Sequence, residues 1–424
     1  MAAQEYAAPI DPREGPFQFD DFRGLRNNVG ANTFLPGDLT VAKNIDIDDA
    51  LNAHRRKGYS SVVTSAIDRD VWAHGEVCLG VGSNNLKLVH PDYSTVTLRT
   101  GLTPERPLAY TALGDRIFYS NGVELGCIQD STHRTWGLAI PPSTTAAAAT
   151  SGSLPTGEYQ YAVTYLRNDG QESGTGLAGT ISLAAVGGIA LSAIPVSTDA
   201  TVAYKVIYAT SAGGETLYRV GVIPNTDTAF AIRESRMGVV PLLTQFRYPA
   251  PPGDFIAESR GCMLVAAGNR LYPSEPFYPE LFDLRKSIPF DDIITMIAPI
   301  NDGSRMRMHG VYIGTRSHLI WLQGDAPHTW EYRVVAQYGV IPGTLFYGDG
   351  DLLGAGDSKE KIAFFATTRG LCAGKMAGNF LNTTEARFAY PIQLRGAGIV
   401  RRHAGMAQYV VSMVGPETAG NIAA

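Results

Sequence analysis

Apolar residues along this chain fall in short runs that alternate with polar ones, and Gly, Asn and Asp punctuate the runs every few residues. That pattern predicts β-strands joined by tight turns; the 3.6-residue periodicity of an amphipathic helix is nearly absent. The one helical candidate is a short turn within 37–50. Four consecutive strands are predicted at 72–76, 77–81, 86–90 and 95–98, with Gly82-Ser83-Asn84-Asn85 and Pro91-Asp92-Tyr93 as hairpin turns. A second set falls at 108–112, 116–120, 123–127 and 135–137, and a third at 255–257, 263–266, 270–272 and 281–282. A fourth runs over 294–297, 311–313, 319–321 and 330–332, and a fifth over 344–347, 362–365, 370–372 and 386–388. Set starts recur about every 36–50 residues outside one gap, against the roughly 40–50 of a propeller blade. The expected fold is therefore all-β: an irregular β-propeller of about five to six blades. A pair of irregular β-sandwiches is the alternative. A last apolar run, 408–413, reads as a lone strand in need of partners.

The gap has its own character. Pro141-Pro142-Ser143-Thr144-Thr145 and four alanines read as a low-complexity linker. After it, 159–165 alternates cleanly, Asn168-Asp169-Gly170 is a hairpin turn, and 204–208 and 216–220 flank a second turn at Ala212-Gly213-Gly214. Such a stretch predicts a small immunoglobulin-like or fibronectin-III-like sandwich set between blades. The expected organisation is 1–57 as an amino-terminal arm and strand, 58–141 as the first blades, 142–240 as the inserted sandwich and 241–424 as the remaining blades.

Composition narrows the function classes. The formal charge is −5 over 424 residues, which argues against wholesale nucleic-acid coating or binding to anionic membranes. Charged residues are 18% and glycines number 46, a low charge density and a glycine excess that suit many tight turns and surfaces hidden in an assembly. No apolar stretch approaches the roughly 20 residues that cross a bilayer. Residues 1–16 carry acids and prolines where a secretion signal needs an apolar run, so synthesis in a cytoplasm is expected. Cys78, Cys127, Cys262 and Cys372 form no Cys-x-x-Cys pair, which excludes a zinc ribbon and favours scattered buried thiols.

Motifs for chemistry are missing. The chain has no His-Glu-x-x-His, no Gly-x-Ser-x-Gly elbow and no phosphate loop, since Gly374-Lys375 is followed by Met376. His309, His318 and His328 could converge on a metal but fall on separate strands and turns. Asp325 with Thr329-Trp330, and Thr135-Trp136, keep fragments of the Ser-x-Asp-x-Gly-x-Thr-Trp turn found in sugar-cleaving propellers; packing at a blade's end is the simpler role for both tryptophans. Asp46-Ile47-Asp48-Asp49 offers oxygens to a hard cation, yet the alternation suits a strand with a solvated face. Gly348-Asp349-Gly350-Asp351 reads as a hairpin end, and Asn382-Thr383-Thr384 as a glycosylation acceptor without a secretion signal. No catalysis, no cofactor and no metal are expected. Basic residues cluster modestly at 54–57, 305–307 and 401–403. On one strand Arg305 and Arg307 would share a face, and multiplied around a channel they could touch DNA phosphates.

Near the amino end the residues become recognisable. Phe22-Arg23-Gly24-Leu25-Arg26-Asn27-Asn28, Leu35-Pro36-Gly37-Asp38-Leu39, Ala42-Lys43-Asn44-Ile45-Asp46-Ile47-Asp48-Asp49 and Arg55-Arg56-Lys57-Gly58-Tyr59 follow one another. Trp136-Gly137-Leu138-Ala139-Ile140-Pro141, Pro251-Pro252-Gly253, 261–266, 272–276 and 289–303 continue the series. In that order the set resembles the tail nozzle, or packaged-DNA stabilisation (tail hub), proteins of short-tailed bacteriophages, with Gly24, Asn44, Asp46 and Gly58 as the marks of the amino-terminal motif. The resemblance implies a structural virion protein and a homohexameric ring of propellers below the portal and its adaptor. Such a ring extends the exit channel for packaged double-stranded DNA and carries tail fibres or a needle. A propeller glycosidase, or a carbohydrate-binding receptor-recognition protein, is the competing expectation.

Overall fold

The computed structural model describes residues 22–30, 33–48, 50–56, 58, 66–234, 238–300, 309–324, 326–350, 360–385, 387, 389–390, 392–403 and 406–416. They fall into two compact units, one drawn from 62–337 with 376–378 and the other from 1–61, 338–375 and 379–424.

The first unit holds four blades, each an antiparallel meander. Blade 1 is Arg69–His74, Val77–Gly82, Asn85–Val89 and Thr95–Arg99; blade 2 is Ala109–Leu113, Arg116–Ser120, Leu125–Gln129 and Thr132–Arg134. Blade 3 is Phe255–Ser259, Cys262–Ala267, Arg270–Glu275 and Tyr278–Phe282, with the short Ile288–Pro289 added beside its third strand. Blade 4 is Ile294–Ile300, Gly310–Thr315, Leu319–Gln323 and Glu331–Ala336. The first strand of each blade lies against the first strand of the next, from blade 1 through blade 4.

Apolar layers between successive blades explain the sequence of the inner strands. Met263 and Val265 meet Phe118, Cys127 and Phe282 on the side of blade 2, while Leu264 and Ala266 meet Ile297, Val311 and Ile313 on the side of blade 4. A strand with period two that is covered on both faces must be apolar at every position, so 262–267 reads as an unbroken hydrophobic run. In Arg116–Ser120, Phe118 turns to blade 3 while Ile117 and Tyr119 turn to blade 1. Each such buried side chain contributes about 1.5–3 kcal/mol.

The sandwich sits between blades 2 and 3 in sequence. A three-stranded sheet of Thr145–Leu154, Gly187–Ser192 and Phe230–Ile232 faces a four-stranded one of Gly179–Leu183, Gly157–Arg167, Val202–Ala209 and Tyr218–Pro224. Leu154, Tyr159, Val163, Ile189, Leu191 and Ile207 fill the space between them. The alanine run expected as a linker is in fact the sandwich's first strand, with Ala147, Ala148 and Ala149 paired to Ala190, Ile189 and Gly188. Small residues are required there: a Cβ on Gly187 would come 2.3 Å from the Ala149 carbonyl oxygen, beside a break in register.

The second unit combines both ends of the chain. Blade 5 is Phe346–Asp349, Lys361–Thr367, Gly370–Gly374 and Phe380–Asn382. The expected fourth strand at 386–388 is displaced to Phe380–Asn382; Ala386 and Phe388 lie outside the described residues. The run at 408–413 is not a lone strand, for Met406–Val414 pairs in register with Arg395–His403. Val400 and Tyr409 of that hairpin pack on Ile362, Phe364 and Ala373, and the Tyr409 hydroxyl donates to the Thr344 carbonyl. From the amino end, Gly24–Leu25 pairs in parallel with Asp38–Leu39, and Ile45–Ile47 antiparallel with Ala53–Arg55, so the described residues of 37–50 hold short strands and no helix. Asn27 exchanges two hydrogen bonds with the backbone of Ala389, at 3.0 and 2.8 Å, and Arg387 donates to the Arg23 carbonyl at 2.6 Å. The described residues are thus all-β, an irregular β-propeller fold with four blades in the first unit, one blade-like sheet in the second, further hairpins and an inserted β-sandwich.

Candidate functional site

The residues singled out in the sequence serve mostly as scaffold. Gly24 takes a φ of +93° in the short parallel pair, and Asn44, at φ +59°, turns the chain into the Ile45–Ile47 strand. The Asp46 carboxylate lies 2.8 Å from the Arg401 guanidinium and 3.8 Å from Arg56, tying the amino-terminal hairpin to the carboxyl-terminal one. Gly58 is exposed and a Cβ there would meet nothing. Because Asp46 and Arg401 keep about a fifth of their side-chain surface, Asp46→Asn should cost only about 0.5–1 kcal/mol. Faster amide exchange confined to 395–403 and 45–47 is the expected readout.

Arg305 and Arg307 lie outside the described residues, as do Asp49, Asp325, Asp351 and the His328 side chain. Among the described residues no group of three or more His, Cys, Asp and Glu comes together. Asp48 accepts from the Asn52 amide at 2.8 Å and pairs with His54 at 2.8 Å, so its oxygens serve a turn. All four cysteines are free thiols; Cys127, Cys262 and Cys372 are buried, and burial pushes Cys127 and Cys372 up to about 12. Trp136 packs between blades 2 and 3 against Phe118 and Phe282 and donates to the Pro279 carbonyl at 2.8 Å.

A groove of about 420 Å³ lies in the first unit where the segment after blade 3 meets blade 4. Its floor is Phe290, Ile320 and Leu322, all buried, and its sides are Pro289, Pro327, Trp330 and Tyr332. Trp330 was expected only to pack; it leans on the core between blades 3 and 4 and also lines this groove. The rim carries Arg285, Lys286, Ser287 and Asp291. Both cations are engaged: Arg285 holds the buried Asp283 at 2.9 and 3.0 Å, and Lys286 holds Glu275 at 3.0 Å. The Arg285 hydrogen bonds keep the Asp283 carboxyl below its usual range. Tyr332 is 66% exposed, an aromatic surface standing in solvent at the mouth of an apolar trough.

A second constellation, invisible as a motif, joins sandwich to propeller. Arg167 ends a sandwich strand and is 4% exposed. Its guanidinium reaches Asp199 at 3.2 Å, Thr201 Oγ1 at 2.7 Å, and the Gln171 and Thr135 side chains; Thr135 in turn donates to Asp199 at 2.7 Å. Burial opposes the Asp199 charge, but hydrogen bonds from Thr201 and Thr135 and the Arg167 cation outweigh it and hold the group at about 2. Beside this network Leu138 packs on Tyr165 and Val202. Gly137, at φ +86°, makes the turn there, where a Cβ would stand 3.0 Å from the Glu280 carbonyl. The return path is fixed by Ser120, whose hydroxyl donates to the Gly253 carbonyl at 2.6 Å and accepts from the Gly253 amide at 3.1 Å.

No family model and no curated protein sequence matches the chain. Solved structures similar to it include the extracellular domain of a hybrid two-component system protein from B. thetaiotaomicron (12% identity, TM-score 0.30, 84% of this chain and 39% of that one). Others are the WD40 domain of SCAP from fission yeast (10%, 0.30, 82% and 60%) and Citrobacter koseri AztD (10%, 0.24, 86% and 92%). The chain therefore spans about two fifths and three fifths of the first two of these structures.

Proposed function

We propose that this protein is a structural component of a short-tailed phage virion: a tail nozzle or hub whose copies form a ring below the portal and adaptor, retain the packaged genome and anchor fibres or a needle. The observation that carries the reading is the ordered series of nozzle-like segments. Its segments at 22–59, 136–141, 251–253, 261–266, 272–276 and 289–303 keep that order and skip the sandwich. Two of its segments, Trp136 to Pro141 and Pro251 to Gly253, are the very stretches by which the chain leaves the propeller for the sandwich and comes back. A guest domain held on by such a junction leaves the blade hydrogen bonds intact and is suited to carry an attachment. A ring requires a heterologous contact that closes by rotation, and an acidic chain lets DNA slide where a strongly basic bore would grip it.

The test is electron microscopy of particles that carry a tag in the sandwich turn at Gly213, together with particles in which 143–232 is deleted. Label in a ring at the tail, and deleted particles that keep DNA but lose fibres, are expected. Particles without label, or fully fibre-decorated deletion particles, would reject respectively the tail assignment and the attachment role.

A further inference from the structure

We propose that the groove between blades 3 and 4 is a binding site for neutral oligosaccharide, which lays the flat face of a pyranose ring against its aromatic wall. Strand pairing builds that wall. Tyr332 stands opposite Leu322 across the outer pair of blade 4, and Trp330 precedes it by two residues, on the same face. Gly324 leaves the indole its place, since a Cβ there would come 3.0 Å from Trp330 Cδ1. Phe290, Ile320 and Leu322 are buried beneath, whereas Tyr332 keeps 66% of its surface in solvent. The trough is open because blade 3 has no full outer strand here. Tyr278–Phe282 pairs only with Ser274 and Glu275, and Ile288–Pro289 takes its place beside Arg270 and Leu271. A volume of about 420 Å³ falls within the roughly 300–1,000 Å³ of small-ligand sites.

The polar groups decide the class of ligand. A pyranose offers an apolar face of C–H groups to an aromatic ring, and an edge of hydroxyls that both donate and accept. Among the described residues the Trp330 indole N–H, the Tyr332 hydroxyl and the Asp291 carboxylate make no hydrogen bond or ion pair. Ser287 Oγ accepts from Arg270 at 3.0 Å and keeps its own proton to donate. Charged ligands find less. Arg285 is held by Asp283 and Lys286 by Glu275, so neither cation is free for a phosphate or a carboxylate. The same two cations line the groove that Asp291 also lines, which weakens its pull on an ammonium group. Vicinal hydroxyls, which bond both oxygens of a carboxylate without carrying charge, meet both conditions. The proposal goes beyond the tail reading and does not rest on it.

Saturation-transfer NMR and titration calorimetry of the full-length protein with cellohexaose, maltohexaose and chitohexaose test the site. A ring face and its hydroxyl edge are common to all three sugars, so at least one should bind, with a dissociation constant in the millimolar range or below. Tyr332→Ala should weaken that binding about tenfold, and Tyr332→Phe, which keeps the ring, less than about threefold. Asp291→Ala should weaken it about tenfold. Both side chains are exposed, so unchanged thermal melting is expected of all three variants. No transfer to any of the three sugars would overturn the proposal. So would binding that Tyr332→Ala and Asp291→Ala leave unchanged, or tighter binding of choline or of a heparin hexasaccharide at the same residues. Each of those results leaves the tail reading untouched, because that reading is tested on particles.

Discussion

Trp136→Ala should lower the stability of the propeller by about 3–5 kcal/mol, among the largest losses open to a single substitution here. The indole is 2% exposed, lies between Phe118 and Phe282 with centroids 4.9 and 6.2 Å away, and gives its N–H to the Pro279 carbonyl. Removing it opens a cavity between blades 2 and 3 and leaves that carbonyl buried without a donor, so two penalties add. A fall of about 1–2 M in the urea midpoint is expected for an m value near 3 kcal/mol/M. Trp136→Phe keeps most of the packing and should lose about 1–2 kcal/mol, the part owed to the hydrogen bond. A loss under about 1 kcal/mol in the alanine variant would mean that the blades close without this ring.

Arg167→Met should cost about 3–5 kcal/mol, because it strands the partly buried Asp199 carboxylate and the Thr135 hydroxyl at the sandwich junction. Arg167→Met/Asp199→Leu should recover part of that, since an apolar pair no longer holds an unpaired charge. The pH dependence carries a definite sign. Asp199 titrates near 2 in the folded chain against about 3.8 when unfolded, so its contribution is complete above about pH 3.8 and disappears as pH falls through about 2. Asp199→Asn should therefore destabilise the protein at about pH 5.5 and make much less difference near pH 2, as followed by urea unfolding. Equal effects at both values would show that the carboxylate is not held charged by this network.

How much of this was legible before the structure follows from where each signal resides. Inner strands such as Cys262–Ala267 and Gly310–Thr315 announced themselves because both faces are buried, and turns such as Gly82 to Asn85 because only certain residues tolerate them. Outer strands were harder. Thr132–Arg134 and Phe380–Asn382 have three residues each and are mostly unburied, so the eye goes instead to the aromatic residues just beyond, Trp136 and Phe388. The alanines of Thr145–Leu154 carry no polar–apolar contrast, and their partner, Gly187 with Gly188, lies far along the chain. The same distance hides both sites. Arg167 reads as the polar flank of the Asn168-Asp169-Gly170 turn until Thr135 and Asp199 close over it. Phe290, Trp330 and Tyr332 look like unrelated core positions until pairing across blade 4 brings them to one trough.

The union of both chain ends in one unit sets a timetable for synthesis. Arg23 waits for Arg387, 364 residues later, which at roughly 5–20 residues per second is roughly 20–70 s on the ribosome. Blades 1 to 4 and the sandwich lie within 62–337 and have left the ribosome well before then. The nascent amino-terminal strands wait meanwhile for the hydrogen-bond partners at Arg387 and Ala389 and for the Arg401 guanidinium. A stop codon anywhere before residue 387 would remove those partners for good, so truncation at the far end of the gene should be felt first at its beginning.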